Sequence, residues 1–404
     1  MSGVRNGEIR ALSGLRIVAA LWVVLFHFRP IVAEAAPGFS EALAPVLNAG
    51  AQGVDLFFIL SGFVLTWNYL DRMGGGWNTR DTLRFLWLRL ARVWPVYLVT
   101  MHLAAAFAIF TLYVGAFPLP PPVIESLNAL SWLKQFFLVQ LWFQPYFDGS
   151  SWNGPAWSIS AEWLAYLLFG GLVLVIFRIA AATRARGLFW LAIAAAMAPT
   201  LLLLAHGVFY TPWSWLPRIV MQFTAGALAC AAVRKLVLSD RARKSAGVVS
   251  LLLGAAIVGG LYLLDTWPPG EMIDAGGLVD VLFVPLVITL SVGAGTLPAL
   301  LSTRVMVYLG HISFGLYMVH EIVHTAWNWA VLQFSIDLTP SWWSKIVVLG
   351  LILFAGFAAA LLYHVVEEPA RRWMRRMIEP GKPRASEPTE APAGRLQSVA
   401  ARAG

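Results

Sequence analysis

Ten apolar runs, each long enough to cross the hydrocarbon core of a bilayer, most constrain how this chain can fold. A transmembrane helix needs about 20 predominantly apolar residues. Only 12% of the residues are charged, roughly half the fraction in a soluble domain. The predicted spans are Ser13–Val32, Gly53–Leu70, Val93–Gly115, Ala156–Phe177, Gly187–His206, Pro217–Leu236, Ala246–Asp265, Gly276–Gly295, Val307–Leu332 and Ser344–Val366. The sequence therefore predicts an all-α, polytopic membrane protein with about ten transmembrane helices.

Two further segments complete the predicted organisation. The apolar run Trp132–Phe143 is too short to span a bilayer and predicts a re-entrant or interfacial helix. The segment 379–404 is rich in Pro, Ala, Glu and Arg, which is typical of disorder. We therefore expect a membrane-embedded domain over residues 1–378 and a disordered cytoplasmic tail over 379–404. The single cysteine, Cys230, excludes a disulfide framework and CxxC zinc or redox sites.

The lysines and arginines indicate how the helices are oriented. If the N-terminus is cytoplasmic, all but four of the 29 lie in cytoplasmic loops, tails or helix ends. The four exceptions are Arg29, Lys134, Arg218 and Lys345. This asymmetry is the positive-inside pattern, and an even number of spans places both termini in the cytoplasm. It also accounts for the net charge of +8 without nucleic acid as a partner.

Ionisable residues inside the predicted spans are costly and therefore mark candidate functional sites. Arg16 and His27 lie 11 residues apart in the first span. At 3.6 residues per turn, this spacing places both on one helical face, about 16 Å apart along the axis. Arg16 is expected near the cytoplasmic surface and His27 well inside the membrane. A snorkelling Arg16 and a structural His27 bonded to a carbonyl group remain open alternatives.

The next two spans add polar candidates. Asp55 follows the start of the second span, where it can act as an N-cap, and Ser61 and Gly62 are small enough for close helix contact. Arg89 and Arg92 precede the third span. Their i, i+3 spacing puts both guanidinium groups on one face, and arginine forks suit phosphate groups. Ordinary positive-inside charge explains the same two arginines without a ligand.

Glu162 lies about a third of the way into the fourth span from its outer end. An unpaired carboxylate at that depth is expensive, so Glu162 needs a partner. A histidine is a natural partner, because a His–carboxylate pair is the core of general-base catalysis.

The ninth span contains His320-Glu321-x-x-His324, a literal HExxH of the kind found in zinc proteases. Such a site needs a third ligand, and no Asp or His in another predicted helix is an obvious candidate. We therefore expect no metal and keep an intramembrane zinc metalloprotease as one alternative function. A secondary transporter is the other, because polar residues lie inside the predicted helices, although the repeated halves typical of transporters are not evident.

Six segments, in order and over nearly the whole chain, resemble motifs of the membrane-bound acyltransferase-3 family of bacterial O-acyltransferases. They are Gly14–Arg16 with Phe26-His27, Gly53–Phe63, Arg89-x-x-Arg92 with Pro95 and Tyr97, Trp157–Glu162, Ile312–His320, and Glu368-Pro369 with Arg371 and Arg372. The chain departs from the family pattern at Trp163, where many relatives carry a second acid.

The resemblance implies a multi-pass protein of the bacterial plasma membrane that transfers an acyl group, most often acetyl, from cytoplasmic acyl-CoA to a hydroxyl group. The implied acceptor is a sugar on a surface glycan, a glycolipid or a glycosylated small molecule. His27 is implied as the essential residue of the transfer step, with Glu162 as its partner. The arginines implied to bind the donor are Arg16, Arg89 and Arg92. Possible supporting residues are Asp55, Ser61, Tyr317 and His320.

Overall fold

The computed structural model describes residues 7–114, 121–208, 210–266 and 275–378. The predicted disordered tail, 379–404, lies outside these residues. Within them the chain is helical and contains no β-strand. The α-helices of this part, α1 to α16 in chain order, are Arg10–Ala35, Pro37–Ala42, Ala44–Asn48, Gly53–Met73, Thr79–Val114, Pro121–Ser126, Ala129–Phe136, Trp157–Ala182, Ala185–His206, Trp215–Arg234, Asp240–Thr266, Phe283–Val292, Thr296–Leu301, Arg304–Phe334, Trp342–Leu362 and Glu368–Ile378.

Short helical turns connect several of these elements. The 3₁₀ turns are Gly50–Gln52, Gly154–Ala156 and Ala275–Leu282. A π turn, Tyr363–Glu367, joins α15 to α16 without a break in the helix. Such π turns are rare and occur often at functional sites.

The prediction of an all-α polytopic membrane protein is confirmed. Over the described residues, ten helical stretches are long and apolar enough to cross a bilayer. They correspond in order to the ten predicted spans and contain α1, α4, α5, α8, α9, α10, α11, α12, α14 and α15. The boundaries differ by several residues, because polar end residues continue the helices beyond the apolar runs. The cytoplasmic orientation of the termini stays a prediction.

The short apolar run Trp132–Phe143 does not form a spanning helix, as expected from its length. Helix α7 ends at Phe136, and the chain then turns through Leu138, which has a positive φ of 61°. Ser160 on α8 anchors this turn: its hydroxyl donates to the carbonyl oxygen of Leu138 at 2.8 Å, and its carbonyl oxygen accepts from Trp142 Nε1 at 3.0 Å. The buried part of the segment therefore packs against α8, whereas Phe143 at its end is exposed.

Glycines bring helices into close contact at two places. A Cβ atom at Gly62 on α4 would lie 1.9 Å from the carbonyl oxygen of Phe223 on α10, and one at Gly226 would lie 1.9 Å from that of Ile59. Glycine alone permits this backbone approach, and the prediction of close helix contact at Gly62 is confirmed.

The second close contact joins α1 to α14. A Cβ atom at Gly310 would lie 1.9 Å from the carbonyl oxygen of Ser13. Further along the same two helices, Phe28 packs against His324, with ring centroids 5.6 Å apart. Helices α1 and α14 therefore run parallel in contact, which brings His27 and His320 to the same level of the bundle.

Candidate active site

The three arginines predicted to bind the donor line one cavity of about 120 Å³ between the helices. Arg16 comes from α1, and Arg89 and Arg92 come from α5, about one turn apart. A second, wider cavity of about 340 Å³ shares Arg16 and Arg92 with the first and adds Arg371. The two cavities adjoin and form a basic space that narrows between the helices. We call it the arginine cavity.

The arginines of this cavity are unequally paired. Arg92 forms an ion pair with Glu367 of the π turn, whose side chain is fully buried. Arg89 lies 5.9 Å from the ring centroid of Tyr69, and its buried Nε has no hydrogen-bond partner in the described part of the chain. Arg16 makes no hydrogen bond or ion pair with another described residue. Two guanidinium groups are therefore available to an anionic ligand.

Sequence reasoning did not identify Glu367 as the partner of Arg92. The only signal was its position at the end of the last predicted span, directly before the Glu368-Pro369 motif. The two residues are 275 positions apart, so no local pattern links them.

Glu162 lines the arginine cavity, but the expected hydrogen bond between Glu162 and His27 does not form. Glu162 Oε1 instead accepts hydrogen bonds from Ser61 Oγ and from the Tyr166 hydroxyl, both at 2.6 Å. Ser61 comes from α4 and Tyr166 from the next turn of α8, so hydroxyl groups satisfy the carboxylate where a histidine was expected. Ser61 itself also lines the cavity.

The partner of His27 is His320. Nε2 of His320 lies 3.3 Å from Nδ1 of His27, and the ring centroids are 4.8 Å apart. His27 Nδ1 also lies 2.9 Å from the carbonyl oxygen of Val23. A carbonyl oxygen only accepts, so this contact requires the proton on Nδ1. The same reasoning applies to His320 Nδ1, 3.3 Å from the carbonyl oxygen of Leu316.

These contacts fix a consistent pattern of protons on the two rings. His27 Nδ1–H is shared between Val23 O and His320 Nε2, while His320 Nδ1–H donates to Leu316 O. The Nε2 lone pair of neutral His27 is then free to accept a proton. His320 is fully buried and His27 half-buried, so only the His27 ring is open to a substrate.

Tyr317 connects the arginine cavity to the histidine pair. It lines the cavity, and its ring centroid lies 5.8 Å from that of His320. Its hydroxyl lies 2.7 Å from Ser158 Oγ and donates to the carbonyl oxygen of Pro155 at 2.9 Å. These bonds hold the ring of Tyr317 between the arginine cavity and the two histidines.

Asp55 does not act as an N-cap. It lies in the first turn of α4, and the residue at the N-cap position, Gln52, makes no capping bond. Asp55 is fully buried and forms a two-bond ion pair with Arg218 of α10, at 3.2 Å and 2.5 Å. Arg218, one of the four basic residues outside the predicted cytoplasmic set, has its guanidinium group buried between helices. Two charge-assisted hydrogen bonds thus hold the buried carboxylate against the guanidinium group.

The HExxH residues do not converge as a zinc-protease site requires. The group of possible ligands in the described residues is His27, His320 and Glu321, whose ligand atoms lie within 4.8 Å of one another. His324 is not part of it: its Nδ1 lies 3.3 Å from Glu321 Oε1, and its Nε2 lies 3.2 Å from Asn328 Nδ2. The histidine from another helix that the sequence did not reveal is His27.

The acyltransferase-3 family model, described as an acyltransferase domain, matches residues 9–365. The chain belongs to the acyltransferase-3 family. Membership supports an O-acyltransferase activity that uses an acyl donor, and it favours acyl transfer over the transporter and metalloprotease alternatives. Together with the ten apolar helices, it identifies a multi-pass membrane protein.

Three acyltransferase relatives span different shares of this chain. Acyltransferase MdmB of Streptomyces mycarofaciens is 30% identical over 395 residues, covering 91% of this chain and 93% of that protein. The putative peptidoglycan O-acetyltransferase YrhL of Bacillus subtilis is 26% identical over 391 residues, covering 90% and 55%. Peptidoglycan O-acetyltransferase OatA of Listeria monocytogenes is 25% identical over 177 residues, covering 41% and 24%. No solved structure matches the chain.

Proposed function

We propose that this acyltransferase moves an acyl group, most often acetyl, from cytoplasmic acyl-CoA to a hydroxyl group of a sugar, with His27 as general base. The proposed location is the bacterial plasma membrane, with both termini in the cytoplasm. The family supplies the reaction type. The donor, the acceptor and the role of His27 are the substance of the proposal.

The charge and shape of the arginine cavity support acyl-CoA as the donor. Coenzyme A carries several phosphate groups on a nucleotide and a long, thin arm that ends in the thioester. Arg16 and Arg89 have guanidinium N–H groups without a protein anion, and such groups bind phosphate strongly. The wider cavity suits the nucleotide, and the narrower one, walled by Phe57 and Phe314, suits the arm.

One observation carries the proposal: the arginine cavity extends to Tyr317, and Tyr317 lies against the His320–His27 pair. A thioester carried along the cavity would thus reach the neighbourhood of a neutral imidazole. The same pair lies where α1 and α14 meet, away from the arginines along α1. Donor and acceptor can then approach the reacting atoms from opposite sides.

The proposed reaction is a direct transfer. His27 Nε2 removes the proton of the acceptor hydroxyl as its oxygen attacks the thioester carbonyl carbon. The tetrahedral intermediate collapses, the C–S bond breaks, and the thiolate of coenzyme A takes the proton back from His27 Nε2. His320 Nε2 and Val23 O accept from His27 Nδ1–H throughout, which holds the ring in the basic tautomer and stabilises the imidazolium.

The names of the relatives support a sugar acceptor. YrhL and OatA are both named for O-acetylation of peptidoglycan. We extend this chemistry to a sugar hydroxyl of a glycan, glycolipid or glycosylated small molecule as the acceptor of this chain.

The test is transfer of label from acetyl-CoA in membranes that contain wild-type protein, His27→Ala or His27→Gln. Loss of a general base costs about 10²–10⁴-fold in rate, so both variants should lose most of the transfer. His102→Ala is the matched control, because His102 Nδ1 also lies near its own i−4 carbonyl oxygen, at 2.8 Å, but it lines neither cavity. Wild-type transfer by correctly inserted His27→Ala protein would rule out the proposed base.

A further inference from the structure

Two buried side-chain oxygen atoms without hydrogen-bond partners lie on or against the part of α14 that carries His320, the partner of His27. Glu321 Oε2 is one, and Asn153 Oδ1 is the other; neither has a partner among the described residues. Asn153 is 2% exposed. A buried polar atom without a partner costs about 1–3 kcal/mol, so a pair of them near a proposed base requires an explanation.

The two oxygens belong to neighbouring segments. Asn153 Nδ2 donates to the carbonyl oxygen of Met318 on α14 at 2.7 Å. A Cβ atom on the next residue, Gly154, would lie 3.8 Å from Glu321 Cγ. The segment that carries Asn153 therefore lies along the turn of α14 that carries His320 and Glu321.

Glu321 also lies close to the histidine pair. One of its carboxylate oxygens is within 4.8 Å of a ring nitrogen of His27 and of His320. Its Oε1 contacts His324 Nδ1 at 3.3 Å and accepts from Thr325 Oγ1 at 3.5 Å, which are long bonds. The carboxylate therefore has acceptor capacity left for a ligand that approaches His27.

We propose that Glu321 and Asn153 form the acceptor subsite, and that this subsite takes an uncharged polyol such as a neutral sugar. The inference rests on the proposed function. The two oxygens accept hydrogen bonds from hydroxyl groups that flank the reacting hydroxyl, which then lies at His27 Nε2. A carboxylate in the subsite disfavours an anionic sugar, because two negative charges would meet where water is scarce.

A metal ion is the competing occupant of this cluster, and the contacts of the rings favour the polyol. His27 Nδ1 must carry a proton to bond to Val23 O, and His320 Nε2 accepts from that proton. A metal ligand must offer a deprotonated lone pair. Of the ring nitrogens, only His27 Nε2 remains free, which is too few for a site with two histidine ligands.

The experiment uses purified full-length protein in lipid nanodiscs with labelled acetyl-CoA and two matched acceptors, octyl β-glucoside and octyl β-glucuronide. Acetylation of the glucoside at least ten times faster than the glucuronide is expected. In Glu321→Gln and Asn153→Ala, the KM for octyl glucoside should rise at least tenfold while the KM for acetyl-CoA stays unchanged. Asn328→Ala, one turn beyond His324, is the control and should leave both constants unchanged.

Three results would overturn the subsite. The first is an unchanged KM for octyl glucoside in Glu321→Gln. The second is acetylation of the glucuronide at least as fast as that of the glucoside, or acetylation of neither. The third is stoichiometric metal in the wild-type protein that is lost in Glu321→Gln. Failure of the proposed function is separately visible, because transfer to the natural acceptors of native membranes would then be independent of His27.

Discussion

Nε2 of His320 on α14 lies 3.3 Å from Nδ1 of His27 on α1, although the residues are 293 positions apart. The close contact of Gly310 with Ser13 sets these helices side by side. His320 has no free face toward solvent, so it serves the His27 ring and not the substrate directly. We regard it as a positioning residue.

Replacement of His320 should lower kcat and leave the KM for acetyl-CoA nearly unchanged. His320→Leu removes the acceptor for His27 Nδ1–H, so the ring loses orientation. We expect a fall in kcat of about 10–100-fold, smaller than the loss of about 10²–10⁴-fold expected when the base itself is removed. His320→Gln can offer its side-chain oxygen near the position of Nε2 and should recover part of the rate. The measurement is steady-state kinetics of label transfer in nanodiscs.

His364→Leu is the control for this experiment, because His364 pairs with Tyr308 away from His27. Equal rates for His320→Gln and His320→Leu would argue against a hydrogen-bonding role and for simple packing.

The two arginines of α5 should respond differently to replacement. Arg89→Ala removes a guanidinium group without a protein anion, so the KM for acetyl-CoA should rise about tenfold or more while the folded yield stays normal. Arg92→Ala also leaves Glu367 buried without its partner, which should reduce thermal stability as well. Donor KM and the unfolding temperature in detergent, measured for both variants, distinguish the two effects. A normal unfolding temperature for Arg92→Ala would contradict the structural part of its role.

Glu162→Gln should act on the donor and not on the tautomer of His27. The carboxylate holds Ser61 and Tyr166 in the wall of the arginine cavity, and Gln can keep only part of that network. We expect a higher KM for acetyl-CoA, and the same direction but a smaller effect for Tyr166→Phe. A double-mutant cycle of Glu162→Gln with His320→Gln checks this. Separate sites give additive effects, whereas strong coupling would favour a direct interaction of Glu162 with His27.

The buried ion pair Asp55–Arg218 should determine stability. Gln52, with its amide oriented to donate, bonds to Asp280 at 3.0 Å and to Asp55 at 3.2 Å, so two carboxylates share the surroundings of one guanidinium group. Arg218→Met leaves both acids uncompensated and should cost about 3–5 kcal/mol, more than Asp55→Asn. The check is the unfolding temperature of each variant in detergent. A smaller effect of Arg218→Met than of Asp55→Asn would contradict this order.

Acid should release the segment before α1. Burial tends to raise the pKa of Glu8, but hydrogen bonds from Ser13 and His311 and the charges of His311 and Arg10 outweigh it, so the pKa is lowered below 4.5. The stabilisation from Glu8 is therefore complete above about pH 4.5 and lost as pH falls through the lower, folded pKa. A nitroxide on Gly7→Cys should become mobile in that range.

The buried Cys230 does not compete for this label. Combined with Glu8→Gln, the spin label should be mobile at every pH. Identical spectra with and without Glu8→Gln at pH 7 would show that Glu8 does not hold the segment.

Local information in the sequence was enough to predict the helices and the candidate site residues that share a single helix. Length and apolar composition predicted ten spans, because each helix satisfies its own backbone hydrogen bonds in lipid. Helical periodicity placed Arg16 and His27 on one face of α1. The positions of Arg89 and Arg92 on α5 followed in the same way, and all three arginines do line one cavity.

The tertiary structure decided which side chains meet. A carboxylate inside a membrane must have a partner. From the sequence, the natural partner of Glu162 was the histidine His27, and Asp55 was expected to cap the end of its helix. The observed partners are Ser61 and Tyr166 for Glu162, and Arg218 for Asp55.

The physical reason is that the rotation and crossing of packed helices depend on where small residues allow two backbones to touch. Gly62 and Gly226 fix α4 against α10, and Gly310 fixes α14 against α1. These contacts join positions more than 150 residues apart in the chain, and no periodicity along one helix encodes them. The sequence by itself determined a membrane protein with Arg16 and His27 on one helix face; only the packing of α14 gave His27 its partner.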